Sequence, residues 1–103
     1  MDCVFCQSYK DKSNVILSNE LAFVIKDKYP QSKGHVLIIP IRHFENYFET
    51  AKEEQEAMSD LLFKMKDISD KNFNPAAYNI SINAGKSAGQ IIMHAHIHLI
   101  PRY

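Results

Sequence analysis

Residues 91–100 read Ile91-Ile92-Met93-His94-Ala95-His96-Ile97-His98-Leu99-Ile100, and this stretch decides how the chain is expected to fold. Its β-branched and aliphatic residues predict a long final strand. Side chains alternate between the two faces of a strand, so the three histidines share one face, roughly 6–7 Å apart, and the residues between them face the core. A solvent-facing strand more often carries Lys, Thr and Glu, so this row of imidazoles predicts a catalytic or metal-binding site. The alternation by itself does not decide between a metal site and a nucleophile.

The rest of the chain predicts four further strands and one main helix. Short apolar runs separated by turn residues predict a hairpin, and a loop over 27–34 leads to a third strand that Pro40 closes. The predicted strands are 14–18, 21–25, 35–39, 77–83 and 91–100. The order β-β-β-α-β-β predicts an α+β fold, with a meander-like, antiparallel five-stranded sheet and one main helix on a face.

Residues 50–75 carry the pattern of that helix. Thr50-Ala51-Lys52-Glu53 has the form of a capping box, and Asn72 to Pro75 end the helix. The apolar residues between them recur at three- and four-residue spacing, which predicts one stripe packed in the core. These residues are Met58, Leu61, Leu62, Met65 and Ile68.

Length and composition limit the class of protein. A chain of 103 residues is expected to form a single domain over 1–103. Twelve Lys and Arg balance twelve Asp and Glu without a basic stripe, which argues against a polymeric nucleic-acid partner and favours a small molecule. No signal peptide is evident, and the longest apolar run, Val36 to Ile41, is too short to span a bilayer. We therefore expect a cytoplasmic protein with no membrane partner.

Cys3-Val4-Phe5-Cys6 supplies half of the ligands that a tetrahedral zinc ion requires. The chain has no other cysteine, so histidines must supply the rest. A redox pair is an alternative, but that motif usually follows a strand and opens a helix, whereas here almost nothing precedes it. A remnant that no longer binds metal is a second alternative. The pattern favours zinc.

Two further segments carry polar residues next to predicted strands. Gly34-His35 opens the third strand, and Arg42-His43 follows it. Residues 83–90 form a turn-rich loop before the histidine segment, and its glycines allow backbone N–H groups to approach an anion. Each of these signals is weak alone, because a surface histidine or an ordinary hairpin loop has the same sequence.

Together these segments resemble the histidine-triad (HIT) family. The resemblance covers nearly the whole chain, from Cys3 to Tyr103. It rests on Gly34 to Pro40, Asn83-x-Gly85, Gly89-Gln90 and His94-x-His96-x-His98 with the ending Leu99-Ile100-Pro101-Arg102-Tyr103. The leading Cys-x-x-Cys and the Pro-Arg-Tyr ending are similar to the bacterial Hint-like and diadenosine polyphosphate hydrolase branch.

The resemblance implies a nucleotide hydrolase or transferase. His96 would attack the α-phosphorus of a purine nucleotide conjugate, such as a nucleoside phosphoramidate or a dinucleoside polyphosphate like Ap4A, and form a nucleotidyl-histidine that water cleaves. His98 would be the second catalytic residue, flanking the nucleophile. Asp27 would accept from the ribose hydroxyls, and apolar residues near Phe5, Phe23 and Ile25 would flank the base. The other implied substrate-binding residues are His35, Asn83, Gly89, Gln90 and Ile91, with the N–H groups of Gly89 and Ile91 as anion donors.

The resemblance also implies a cofactor and a partner. Cys3, Cys6, His43 and His94 match the ligands of a structural zinc, and no organic cofactor is expected. The family further implies a homodimer in which the helix and an adjacent strand pair across a two-fold axis.

Three features depart from the family pattern. Ile91 stands where Ser or Thr usually follows Gly-Gln, so the N–H is kept and the hydroxyl is lost. Lys33 replaces a more usual proline before Gly34-His35. The sequence ends at Tyr103, whereas relatives continue into a segment that shapes substrate choice.

Two alternatives belong to other classes of protein. The first is a non-catalytic nucleotide-binding or interaction module, in which Ile91 marks lost activity. The second is a metalloenzyme with His94, His96 and His98 on one catalytic ion, although no carboxylate base lies close to them in sequence. One zinc per chain that survives replacement of His96 would exclude this second alternative.

Overall fold

Five antiparallel strands and one long helix form the chain, as the sequence predicts. The computed structural model describes residues 3–103. The strands are β1 (Val15–Ser18), β2 (Ala22–Lys26), β3 (Val36–Pro40), β4 (Ala77–Ser81) and β5 (Ile97–Arg102). The helices are α1 (Val4–Asp11) and α2 (Lys52–Phe73). The sheet order is β1-β2-β3-β5-β4, so the first three strands form a meander and β5 lies between β3 and β4. Helix α2 makes the connection from β3 to β4.

Helix α2 covers one face of the sheet through the predicted apolar stripe. Met58, Leu61 and Met65 are buried, and Leu62 and Ile68 pack partly buried against the same cluster, so the stripe is confirmed. Their partners on the strands include Ala22, Val24, Val36, Ile38, Ile97 and Leu99. Full burial of one such large side chain contributes about 1.5–3 kcal/mol, so this interface holds β3 and β5 in place. No helix within residues 3–103 is both long enough and apolar enough to cross a membrane.

Helix α1, which the sequence pattern does not predict, packs on the opposite face. It covers a second buried cluster of Phe5, Phe23, Ile25, Leu37 and Ile39. The rings of Tyr9 and Phe23 lie 5.1 Å apart between centroids. Cys3 is the N-cap residue, so the Cys-x-x-Cys motif does open a helix. An eight-residue helix with two cysteines at its start has too short a periodic pattern to be recognised.

The final strand is shorter than predicted, because it begins at Ile97 rather than at residue 91. Its ladder with β3 runs only from Ile97 to Leu99. At the far end of β3, Pro40 has no N–H to donate, and its carbonyl accepts from the ring of His94 instead. Without a partner strand, residues 91–96 bend away, so His94 and His96 lie before the strand and only His98 lies on it. Strand β4 correspondingly ends at Ser81, opposite His98.

The predicted capping box at Thr50 is wrong. The N-cap residue of α2 is Ala51, one residue later. The Thr50 hydroxyl donates to the carbonyl of Tyr47 at 2.6 Å, inside a preceding helical turn over Tyr47–Glu49. That turn occupies the hydroxyl that a capping box would use, so the helix starts without a side-chain cap among the described residues.

Candidate active site and metal-binding cluster

The middle histidine of the segment is buried and has a fixed tautomer. Nδ1 of His96 lies 2.7 Å from the carbonyl oxygen of His94. A carbonyl oxygen can only accept, so Nδ1 carries the proton and Nε2 keeps its lone pair. Burial lowers the pKa of His96 below its ordinary value, which favours the neutral ring. A neutral imidazole with an unprotonated Nε2 is the form that can attack an electrophile.

His98, His35 and Asp27 form a hydrogen-bonded chain beside His96. The backbone N–H of Gln31 donates to Nδ1 of His35 at 3.1 Å, so the proton of His35 is on Nε2. That Nε2 lies 3.0 Å from Nδ1 of His98 and 3.2 Å from a carboxylate oxygen of Asp27. His35 therefore donates, His98 accepts at Nδ1, and the proton of a neutral His98 ring is on Nε2.

Burial and the Asp27 carboxylate act in opposite directions on the protonation of His35 and His98. Burial lowers the pKa of His35 and of His98, whereas the nearby Asp27 carboxylate opposes the shift in each case. The ligand atoms of Asp27, His35 and His98 lie close enough together to hold a metal ion. However, Gln31 keeps the His35 proton on Nε2, so this nitrogen offers no lone pair to a metal. The His96 and His98 rings meet edge to face with centroids 4.9 Å apart, which places His98 directly against the candidate nucleophile.

His94 points away from the other two and joins a Cys/His cluster, which consists of Cys3, Cys6, His43 and His94. Nδ1 of His94 lies 3.3 Å from Sγ of Cys3 and 3.6 Å from Sγ of Cys6, and Nδ1 of His43 lies 3.6 Å from Sγ of Cys6. In a tetrahedral zinc site with Zn–S of about 2.3 Å and Zn–N of about 2.0–2.1 Å, sulfur and nitrogen ligands are separated by about 3.6 Å.

A second contact of His94 also fits metal binding. Its Nε2 donates to the carbonyl of Pro40 at 2.8 Å, so the lone pair on Nδ1 faces the two sulfurs. Histidine ligands of metals usually donate their other N–H to a carbonyl or a carboxylate in this way. The donor set and its spacing therefore fit zinc.

The segment that follows β3 links this cluster to the main helix. Arg42 makes two hydrogen bonds to the buried carboxylate of Glu54, at 2.8 and 3.1 Å. The carbonyl of Phe44 accepts from the N–H of Ala95 at 2.7 Å, between His94 and His96. Helix α2 thus anchors the residues after β3, which include His43. These residues in turn hold the backbone between His94 and His96.

The side chain of Gln90 holds the loop over 83–90 in place. The Gln90 side chain is buried, donates to the carbonyls of Glu45 and Ile92, and accepts from the N–H of Gly85. Its backbone N–H donates to the carbonyl of Gly85, and the N–H of Gly89 donates to the carbonyl of Lys86. Internal acceptors occupy these donors in this structure, and the substrate contacts of Gln90 and the Gly89 N–H stay a prediction.

Ile91 and Asn83 are the predicted loop residues that keep free polar groups. Among residues 3–103, the N–H of Ile91 has no acceptor, and its side chain is 90% exposed. The amide nitrogen of Asn83 makes one long contact of 3.5 Å to the carbonyl of Gly89. Gly85 and Gly89 have φ values of +102° and +92°, a conformation that glycine adopts readily.

Several residues that organise the site are not identified by the sequence pattern. Phe5 is predicted to lie near the base, but it is 2% exposed and its ring packs against both His94 and His96. Its position between the two cysteines is the only signal that the sequence carries. Gln31 acts through its backbone N–H, and any residue except proline supplies that group. The buried acid Glu54 lies on a helix that the sequence predicts, but its partner Arg42 is twelve residues away.

A family model, known proteins and solved structures each match most of this chain. The family model described as HIT domain matches residues 9–103. Adenosine 5'-monophosphoramidase of Schizosaccharomyces pombe is 34% identical over 104 residues, covering 99% of this chain and 75% of that protein. An adenylylsulfatase of Arabidopsis thaliana is 35% identical over 103 residues, covering 98% of this chain and 52% of that protein. The crystal structure of a zinc-bound histidine triad family protein from Mycobacterium smegmatis superposes with a TM-score of 0.91 at 30% identity, covering 100% of this chain and 76% of that chain.

Proposed function

The chain belongs to the HIT domain family. We propose that it is a hydrolase or transferase that acts at the α-phosphate of purine nucleotide conjugates and breaks the bond from the α-phosphorus to the leaving group, with His96 as the nucleophile. The observation that carries this proposal is the state of His96, whose Nδ1–H donates to the His94 carbonyl, so that the lone pair of the neutral ring is on Nε2. Burial lowers the pKa of His96 and favours this neutral form. The substrates would be nucleoside phosphoramidates or dinucleoside polyphosphates such as Ap4A. The monophosphoramidase and adenylylsulfatase among its relatives support this class of bond.

The reaction would take place in two displacements. First, Nε2 of His96 forms a bond to the α-phosphorus while the bond from phosphorus to the leaving oxygen or nitrogen breaks. Nε2–H of His98 would donate a hydrogen bond to the leaving atom, which takes up its proton from solvent, because a neutral His98 ring cannot give up this proton without becoming an anion. A water molecule then attacks the phosphorus and gives up a proton to solvent, the P–N bond to Nε2 of His96 breaks, and the nucleoside monophosphate leaves. The ring nitrogen thus supplies the nucleophile in one step and the leaving group in the next.

The remaining site residues would bind the nucleotide. Asp27 has one carboxylate oxygen toward His35 and His98, and its other oxygen accepts only from the N–H of Tyr29 among the described residues. A carboxylate in this position can accept from ribose hydroxyls. The free N–H of Ile91 and the amide of Asn83 are the candidate donors to the phosphate.

The Cys/His cluster would hold a structural zinc. Four N and S donors complete a closed tetrahedral site, so the metal would have no open position for substrate and would contribute stability. In this assignment His94 is a metal ligand, and only His96 does covalent chemistry.

We also propose that a second copy of the chain covers the outer edge of β4. This strand lies at the edge of the sheet, and Ile80, Ile82 and, on α2, Phe63 are exposed. A two-fold pairing of edge strands would satisfy the free backbone groups and cover these side chains. Analytical ultracentrifugation tests it, with a mass of two chains expected and a monomer at micromolar concentration contradicting it.

The experiment that tests the activity compares wild type with His96→Ala on adenosine 5'-phosphoramidate and Ap4A. Wild type should release AMP, and His96→Ala should lose turnover but still bind AMP in a calorimetric titration, because the ribose and phosphate contacts remain. A wild type that binds AMP and turns over neither substrate would favour the non-catalytic nucleotide-binding module instead.

A further inference from the structure

Phe5 lies between the two cysteines and contacts both His94 and His96. Its side chain is buried in the first turn of α1. The ring centroid lies 5.8 Å from that of His94 and 5.1 Å from that of His96, and the interplanar angles are 74° and 75°. Both contacts are edge to face, which aromatic pairs favour. One side chain thus touches a member of the Cys/His cluster and the candidate nucleophile.

His96 depends on this neighbourhood for its orientation. Its ring makes one hydrogen bond, from Nδ1 to the His94 carbonyl, and a single bond leaves the ring free to tilt about that axis. The rings of Phe5 and His98 both meet the His96 ring edge to face, at 5.1 and 4.9 Å between centroids, and oppose this tilt. Two of these three restraints originate at the Cys/His cluster, because His94 accepts the hydrogen bond and Phe5 lies between Cys3 and Cys6.

Helix α1 is too short to hold Phe5 by itself. It has eight residues, and isolated helices of fewer than about 12–15 residues are marginal in water. Its N-cap residue, Cys3, makes no side-chain capping bond among the described residues. The packing of Tyr9 on Phe23 fixes the second turn of the helix, whereas the first turn, which carries Phe5, has both cysteines facing His94. Metal bound by these donors would fix the first turn to the histidine segment.

We propose that Phe5 is a positioning residue for His96, and that metal in the Cys/His cluster holds it there. The catalytic consequence of this inference rests on the proposed function, whereas its geometric consequence does not. Phe5 holds the His96 ring in the Nδ1–H tautomer with Nε2 unprotonated. Its removal allows the ring to tilt away from the His94 carbonyl, and the tautomer with the proton on Nε2, which cannot attack phosphorus, becomes populated.

The test uses Phe5→Leu, which keeps a buried apolar side chain, and Tyr9→Leu as the matched control. Tyr9 is an aromatic residue of the same helix that packs against the same cluster, but its aromatic contact is with Phe23. The first readout is the ring ¹⁵N chemical shifts of His96 in zinc-loaded protein without nucleotide. Wild type and Tyr9→Leu should show the Nδ1–H tautomer, and Phe5→Leu should show a mixture. Unchanged His96 shifts in a folded Phe5→Leu protein would overturn the proposal.

The same signals test the part of the metal. Withdrawing zinc from wild type with a chelator should shift the His96 signals in the same direction as Phe5→Leu, and adding zinc back should restore them. His96 signals that do not respond to zinc would refute the metal's part in holding Phe5. This readout needs no turnover, so it remains decisive even if no nucleotide conjugate proves to be a substrate and the proposed function fails.

The kinetic readout separates positioning from contact with the base. A positioning role predicts that Phe5→Leu lowers kcat on the order of 10- to 100-fold and leaves KM within about twofold, because the nucleophile is misplaced while binding is kept. Tyr9→Leu should leave kcat near the wild-type value. If Phe5 instead flanked the base, Phe5→Leu would raise KM and leave kcat unchanged, and the proposal would be wrong.

Discussion

Replacement of Ile91 by serine should raise the rate on nucleotide conjugates that have poor leaving groups. The family pattern that the sequence resembles has a hydroxyl residue after Gly-Gln, whereas this chain has isoleucine. The backbone N–H of Ile91 has no acceptor among residues 3–103, and its side chain is exposed, three residues before His94 in the sequence. A serine hydroxyl there would add a second donor to the charge that develops as the bond from phosphorus breaks.

The exposure of Ile91 determines the expected magnitude. The side chain is 90% exposed, so its removal leaves no cavity, and the free energy of unfolding should change by less than about 0.5 kcal/mol. A donor in a water-poor oxyanion hole is worth about 2.7–4 kcal/mol. A hydroxyl in this open position is closer to an ordinary net hydrogen bond of about 0.5–1.5 kcal/mol. That range corresponds to a rate gain of about two- to twelvefold.

Single-turnover rates on two adenosine conjugates measure this gain. The first substrate has an alkylamine leaving group, which needs a donor, and the second has a nitrophenol, which needs little help. Ile91→Ala is the matched control, because it removes the same side chain without adding a hydroxyl. Serine should accelerate the amine substrate and barely affect the nitrophenyl substrate. Equal gains in serine and alanine, or no gain on the amine in a folded protein, would show that Ile91 is not a missing catalytic donor.

Three further predictions concern metal, pH and ribose. His43→Ala should release zinc and lower the melting temperature, as measured by elemental analysis and thermal unfolding. The kcat of the molecules that keep zinc should stay close to the wild-type value. Unchanged zinc content would contradict the assigned ligand set. Burial lowers the pKa of His35, His96 and His98, so these histidines take up protons in the unfolded chain at a higher pH than in the folded chain. The free energy of unfolding should therefore fall as pH drops below about 6.5. The slope is at most about 1.4 kcal/mol per pH unit for each histidine. Urea titrations at neutral and mildly acidic pH measure this slope, and a flat profile would contradict the buried neutral state. Asp27→Asn should raise KM for a ribonucleotide conjugate more than for its 2′,3′-dideoxy analogue, and equal increases would place Asp27 away from the ribose.

The parts of the fold that depend on local pattern could be predicted from the sequence. The hairpin of β1 and β2, the buried strand β3 and the apolar stripe of α2 each follow from periodicity within one segment, and the structure confirms them. The separation of the histidines into two sites could not be predicted in this way. It depends on where β5 begins, and that point is set by Pro40, a residue more than fifty positions away along the chain.

The contacts that the sequence does not reveal at the site share one physical cause. Phe5, Gln31 and Glu54 act through packing, a backbone N–H and a buried ion pair, and in each case the partner is brought close only by the fold. The family resemblance predicts the four residues of the Cys/His cluster as metal ligands, and the structure brings them together. The same resemblance predicts a substrate contact for Gln90, and the structure adds that the Gln90 side chain is already bonded to Glu45, Gly85 and Ile92. A family motif does not record such internal bonds.

The most direct test of the central claim is mass spectrometry of the protein quenched in acid-free denaturant during turnover of an adenosine phosphoramidate. Intact-mass and peptide analysis should find one adenylyl group per chain, attached to His96 in wild type and absent from His96→Ala. Formation and decay of this adduct should match the turnover rate. Steady production of AMP with no adduct on His96 at any quench time, or wild-type turnover by His96→Ala, would contradict covalent catalysis by this histidine.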